Sequence, residues 1–171
     1  CISSWFSNLV KKSLLFKDFD VITIPLCIDC DEWRPLDKQA SRKMLQLDNT
    51  SPVLLFSAAN GTKDPRKGFD YLTKILEDPF YKKSNCKLII IGKLNEEHKK
   101  SLKIDYINFS DHYTNNPLFL RILYSASDLI LAPDTLATFN QVMLEGNSCQ
   151  TPAICFDNTG SSDIIDHKKT G

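Results

Sequence analysis

From Pro52 to Gly171 short apolar runs rich in β-branched residues alternate with segments of helical period, and this alternation restricts the fold more than any other feature of the 171-residue sequence. The runs lie near 53–58, 86–91, 106–109, 128–132 and 152–156, and the helical segments near 65–77, 95–103, 117–126, 138–149 and 160–166. Val53-Leu54-Leu55-Phe56 and Leu88-Ile89-Ile90-Ile91 are continuous rather than alternating, so their strands are expected to be buried on both faces. Strands of that kind, each followed by a helix, predict an α/β fold built on a doubly wound parallel sheet. Ligands of such sheets bind beyond the carboxyl ends of the strands, which directs attention to the loops after residues 58, 92, 110, 132 and 156.

The first 36 residues do not follow this rhythm. A helix-like stretch carrying Trp5, Phe6, Leu9 and Val10, with Lys11 and Lys12, leads into one isolated strand, Val21-Ile22-Thr23-Ile24, and Pro25. The chain therefore reads as residues 1–36 from the end of another domain and its interdomain segment, a polar linker with a short helix over 37–51, and a ligand-binding domain over 52–171. The aromatics and lysines of the first helix also fit a membrane surface, although packing on a partner domain is the plainer reading. Cys1 in place of Met, and an end on Lys168-Lys169-Thr170-Gly171, read as a piece of a longer protein.

Charge and cysteine content exclude several function classes. With 21 Lys+Arg against 21 Asp+Glu, no global field draws the chain to nucleic acid. Its longest apolar stretches fall far short of the roughly 20 residues that cross a bilayer, and the N-terminus lacks the pattern of a secretory signal. The six cysteines read as reduced thiols. Cys27 and Cys30 have no second Cys/His pair at zinc-ligand spacing, and they follow a strand rather than opening a helix as a redox pair would.

Two loops carry residues suited to chemistry. After the first strand comes Asp64-Pro65-Arg66-Lys67-Gly68, where Asp64 and Pro65 form a strong helix start and Arg66 and Lys67 place two cations on the first turn, against the macrodipole. An anion in the loop would resolve that conflict, as in a phosphate cradle; a solvated turn paired with Asp64 or Asp70 would as well. After the fourth strand, Thr138 and Gln141 are spaced as a capping box that starts a helix near Phe139. On its wheel Glu145 falls beside the apolar face of Phe139, Val142, Met143, Gly146 and Cys149, where a carboxylate needs donors: a ribose diol, a backbone amide or Gln141. Asp134 reads as a turn residue, with a functional role as the lesser reading, His112 and Tyr113 as residues of the ligand edge that either frame a ligand or simply fill a loop, and His98 and His167 as solvated surface.

Taken in order, these segments resemble the C-terminal half of group 1 (family 4) glycosyltransferases, retaining enzymes of the GT-B fold that use nucleotide-sugar donors. Ile24-Pro25-Leu26-Cys27-Ile28-Asp29, with Trp33-Arg34-Pro35, is similar to the family's interdomain I-P-N-G-[IV]-D-x3-F-x-P. Asp64-Pro65-Arg66-Lys67-Gly68-Phe69-Asp70 is similar to its D-P-R-K-G-F-D donor-phosphate loop. Leu144-Glu145-Gly146-Asn147-Ser148-Cys149-Gln150-Thr151-Pro152 is similar to L-E-A-M-A-C-G-T-P, and Asp157-Asn158-Thr159-Gly160 to the start of the glycine turn that follows.

The resemblance implies a Rossmann-like donor-binding domain in which Lys67, with Arg66, holds the donor diphosphate. It further implies that Glu145 binds the ribose as the second Glu of a Glu-x7-Glu motif, and that Thr138, Phe139, Asn140 and Gln141 lie near the donor sugar and phosphate. No metal or other cofactor is expected, because side-chain cations fill that role. The partners implied are a nucleotide-sugar, a glycan or lipid-linked acceptor of cell-surface polysaccharide synthesis and the N-terminal domain, but no nucleic acid. The implied location is the cytoplasm, with room for peripheral association at the inner face of the membrane. This sequence departs from the pattern at Ala137, where the first Glu would stand, at Ala59, where an Arg is usual, at Leu26-Cys27 in place of Asn-Gly and at Gln150 in place of Gly. Those departures keep open a second reading, a degenerate nucleotide-binding or regulatory domain without transfer activity.

Overall fold

A computed structural model of the chain describes residues 1–110 and 116–171. Its centre is a five-stranded sheet: β1 (Val53–Ser57), β2 (Lys87–Ile91), β3 (Asp105–Phe109), β4 (Leu129–Ala132) and β5 (Ala153–Cys155). All pairings are parallel and the order is β3-β2-β1-β4-β5, so the chain builds outward from β1 in one direction, crosses back and continues in the other. The five predicted runs are these five strands. His112 and Tyr113 lie outside the described residues.

The continuous apolar runs do bury both faces. Val53 and Leu55 of β1 pack with Ile89, Ile91 and Ile130 into one core, whereas their neighbours Leu54 and Phe56 turn with Leu88 and Ile90 into the other. The helices covering these faces are α3 (Phe69–Leu76), α4 (Pro79–Lys83), α5 (Glu96–Ser101), α6 (Pro117–Ala126) and α7 (Gln141–Ser148). Phe69, Leu72 and Leu76 of α3 close one layer, and Leu123 and Tyr124 of α6 with Met143 of α7 close the other.

Ahead of the sheet lie α1 (Ser4–Lys12) and α2 (Lys38–Met44). Asp37 caps α2 by accepting the Ala40 N–H at 2.7 Å, and Arg42 reaches from α2 to the Ala126 carbonyl (3.0 Å) and Asp128 (2.7 Å). Asp128 also takes the Val53 N–H at 2.7 Å and Lys38 at 2.5 Å, so the 37–51 segment is clamped to the edge opposite the ligand loops. The start of α1 rests on the 3-10 turn Gly160–Asp163, where the Ser4 N–H meets Asp163.

Several elements differ from their sequence expectation. Residues 21–24 do not form a strand: among the described residues, apart from the Ser7–Thr23 hydroxyl contact at 2.6 Å, they bond only to Cys1, through Ile22 O and Ile24 N, too little to make a ladder. The helix expected over 65–77 is split. Asp64 caps the 3-10 turn Pro65–Lys67, and then Gly68 takes a left-handed conformation (φ 67°) before α3 begins. The last predicted helix shortens to the 3-10 turn at Gly160–Asp163, and α4 is an element the apolar pattern did not announce. Gln150, at a glycine of the resembling motif, keeps left-handed backbone (φ 63°).

Candidate functional site

The order of the strands reverses between β1 and β4, and the loops leaving their carboxyl ends face each other across that gap. This is the place where doubly wound sheets hold ligands. The first loop delivers Lys67 and the second delivers Asp134. Lys67 Nζ donates to Asp134 Oδ1 at 2.7 Å, and Asn140 Nδ2 donates to Asp134 Oδ2 at 2.9 Å. The Asp134 carboxylate is only 5% exposed, against 29% for the Lys67 side chain, so the ammonium is the partner that meets solvent. It has three protons, and the bond to Asp134 leaves donors for an incoming anion.

The backbone around this pair is held by close approach. Gly68 sits so near the Pro133 carbonyl that a Cβ would collide with it, and the Thr135 N–H donates to Arg66 O at 2.8 Å. Asp134 is therefore not the ordinary turn residue its Pro-Asp setting suggested, but the buried anchor of the gap. The cations do not sit on the first turn of a long helix either, because Gly68 separates them from α3.

Arg66 turns the other way. Its guanidinium forks onto Asp64 (Nε–Oδ1 3.0 Å, Nη2–Oδ2 2.8 Å) with the side chain 58% exposed. That hydrogen-bonded guanidinium holds the Asp64 carboxyl below its ordinary value, and the bond to Asp64 raises the arginine in turn. Of the two carboxylates named for the solvated pairing, Asp64 takes Arg66, whereas the partner of Lys67 is Asp134. Lys63 and Ala59 are exposed on the same edge.

Glu145, one turn into α7, is 6% exposed. Tyr124 Oη, reaching from α6, donates to its Oε2 at 2.8 Å. Burial pushes the Glu145 carboxyl up, and hydrogen bonds from Tyr124 and Gln141 oppose that rise. Gln141 is a donor that the local sequence offers Glu145; Tyr124 comes from another helix, and its only sequence signal is that a tyrosine on a buried helix face needs a partner for its hydroxyl. Burial together with Glu145 raises the Tyr124 phenol well above its usual value.

Of the residues expected near the donor, Thr138 and Gln141 are exposed, Phe139 is half-buried and Asn140 is buried on Asp134. The capping box does not form: α7 starts at Gln141, after Asn140, with no side-chain cap. The cause is tertiary. Asn140 spends its amide on Asp134, and the Gly160 N–H donates to Ala137 O at 2.8 Å, which draws 137–138 onto the 160–163 turn and delays entry into the helix.

His98 is not the solvated residue its charged neighbours implied; its ring stacks on Phe69 at 4.5 Å. All six cysteines are free, Cys27 and Cys30 are exposed, and burial pushes the Cys86 and Cys149 thiols up to about 11. Among the described residues no group of three or more His, Cys, Asp or Glu is placed to hold a metal ion, and no helix is long and apolar enough to cross a membrane.

Comparison with known proteins places the sequence and the fold among known families. The D-inositol 3-phosphate glycosyltransferase of Segniliparus rotundus is 27% identical over 139 residues, covering 77% of this chain; the chain spans 30% of that relative's length. Among solved structures, WaaG, a glycosyltransferase involved in lipopolysaccharide biosynthesis, superposes with a TM-score of 0.71 at 19% identity over 90% of this chain and 43% of its own. Anabaena HepE in complex with UDP and glucose gives 0.65 at 16% identity over 85% of this chain and 41% of its own. The sequence pattern of the glycosyl transferases group 1 family matches residues 37–171. With that match over most of its length and a parallel Rossmann-like sheet shared with GT-B enzymes, the chain belongs to the group 1 glycosyl transferases, as a C-terminal domain of that fold.

Proposed function

We propose that this chain is the donor-binding domain of a retaining glycosyltransferase that moves a sugar from a nucleotide-sugar to a glycan or lipid-linked acceptor in cell-surface polysaccharide synthesis. Lys67 and Arg66 hold the donor diphosphate, Glu145 holds the ribose, and Thr138, Phe139, Asn140 and Gln141 border the donor sugar and phosphate. The observation that carries this reading is the Lys67 ammonium in the β1/β4 gap, anchored on a buried carboxylate 2.7 Å away with donors to spare. HepE, a structural neighbour, is described with UDP and glucose bound, and WaaG as acting in lipopolysaccharide synthesis. In the intact enzyme the two domains close over the donor and exclude water, while Lys67 and Arg66 stabilise charge developing on the leaving diphosphate without a metal. Such an enzyme works in the cytoplasm, at or near the inner face of the membrane. The chain by itself binds donor and does not transfer.

Calorimetric titration of the chain with UDP, GDP, ADP and CMP, repeated on Lys67→Ala and Glu145→Ala, tests this. One nucleotide is expected to bind, and each substitution to weaken it roughly ten- to a hundredfold, the worth of a charge-assisted hydrogen bond. Binding indifferent to both substitutions would refute the assignment of the site.

A second reading, a nucleotide-binding or regulatory domain without transfer activity, is favoured by Ala137. This methyl stands where the resembling motif has a carboxylate, and its carbonyl is occupied by Gly160. Transfer by the full-length protein, with Ala137→Glu alongside, separates the two.

A further inference from the structure

His98 of α5 makes three contacts that donor binding as described above does not use. Its Nδ1 lies 2.8 Å from Thr62 Oγ1, its Nε2 lies 3.6 Å from an Asp70 oxygen, and its ring stacks on Phe69 at 27°. A carboxylate beside Nε2 favours the proton on that nitrogen, which leaves Nδ1 to accept from the Thr62 hydroxyl. The same hydroxyl oxygen accepts the Asn95 N–H at 3.1 Å, and Thr62 is 2% exposed. Hydroxyl, imidazole and carboxylate thus follow one another as in a nucleophilic triad, but a buried hydroxyl with its oxygen already bonded cannot attack a substrate. The arrangement is mechanical. Thr62 and Phe69 bracket Arg66 and Lys67 in the chain, and His98 grips both ends of that bracket from behind.

We propose that His98 is a positioning residue for the diphosphate loop. Through Thr62 and Phe69 it holds the 62–69 segment in the geometry from which Lys67 meets a nucleoside diphosphate, so that little ordering remains to be done on binding. The inference rests on the donor-site reading above.

The test uses Thr62→Val, His98→Phe, their double variant and Thr62→Ser, titrated with UDP, GDP and ADP, together with amide hydrogen exchange over 60–68. Phe keeps the stack without the acceptor, Val keeps the shape without the hydroxyl, and Ser restores the hydroxyl. For the diphosphate that the unaltered chain binds, Thr62→Val and His98→Phe are each expected to weaken affinity about three- to tenfold, the worth of one neutral hydrogen bond. The double variant should be no weaker than the worse single, because both remove the same bond, and Thr62→Ser should bind as the parent does. Exchange should quicken over 60–68 and stay unchanged in β1 and β2. Should His98→Phe fail to fold, the Val and Ser pair at Thr62 decides the matter. Unchanged affinity, additive losses or failure of Ser to restore binding overturns the positioning role while the donor reading stands. If the unaltered chain binds none of the three diphosphates, the donor reading falls and the positioning role falls with it.

Discussion

Tyr124 Oη donates to Glu145 Oε2 across 2.8 Å, and this buried bond ties α6 to α7. Among the described residues no cation pairs with Glu145; burial is the largest influence and pushes its carboxyl up. A carboxyl raised in the folded state contributes stability below its unfolded value, and that contribution is lost as pH rises through the folded value. Glu145→Gln should therefore melt with the parent chain near pH 4 and above it at pH 7, while binding nucleotide more weakly. Thermal unfolding across that pH range checks the first part and calorimetry the second.

Tyr124→Phe should destabilise the chain by about 1 to 3 kcal/mol at neutral pH, because it strips a donor from a buried carboxylate. Adding Glu145→Gln should recover part of that loss. Urea unfolding of the singles and the double measures the coupling.

Among the described residues, Lys67→Met leaves the buried Asp134 carboxylate with Asn140 alone. The partial exposure of Lys67 reduces the penalty below that of a fully buried pair, to roughly 1 to 3 kcal/mol. Asp134→Asn, which removes the charge and keeps the shape, should cost less, and the double variant less than the sum of the singles. By contrast Arg66→Ala should leave the melting temperature nearly unmoved, since the Arg66 side chain is 58% exposed and its removal opens Asp64 to water, and should weaken nucleotide binding about three- to tenfold.

Gly68→Ala should destabilise by at least about 1 to 2 kcal/mol from its left-handed backbone alone, with more from the collision with Pro133. It should also reduce nucleotide affinity, because relieving the collision moves Lys67 away from Asp134. Chemical unfolding and calorimetry on the same variant check both.

At the opposite edge the pH dependence has the other sign. Burial raises the Asp128 carboxyl, but Lys38, the Val53 N–H and Arg42 together hold it below its usual 3.8. A depressed carboxyl contributes stability above its unfolded value and loses it as pH falls through the folded value. Asp128→Asn should thus be less stable than the parent at pH 7 and approach it near pH 3, which melting curves at the two pH values decide.

The sheet was legible because hydrophobic alternation is a local signal: five runs marked five strands, and the continuous form of Val53–Phe56 and Leu88–Ile91 marked burial on both faces. Lys67 and Glu145 were legible for a related reason, since a cation beside a helix start and a carboxylate beside an apolar stripe each conflict with their immediate neighbours. Other expectations failed where the outcome depended on a distant partner. The capping box of Thr138 and Gln141 lost to Asn140 on Asp134 and to Gly160 on Ala137, and His98 amid its charged neighbours was drawn in by Phe69 and Thr62.

From the sequence alone came the α/β class, the loops where chemistry belongs and the two residues most in conflict with their surroundings. Tertiary structure alone decided what resolves those conflicts, Asp134 for Lys67 and Tyr124 for Glu145, and it set His98 against Thr62 and Phe69. Each of these contacts joins residues 21 or more positions apart: 21 for Tyr124 and Glu145, 67 for Lys67 and Asp134, and 28 to 36 for His98 with Asp70, Phe69 and Thr62. The physical reason is range: periodicity and capping act within a turn or a strand, whereas the partner of a buried charge is set by which strand ends the crossover brings together.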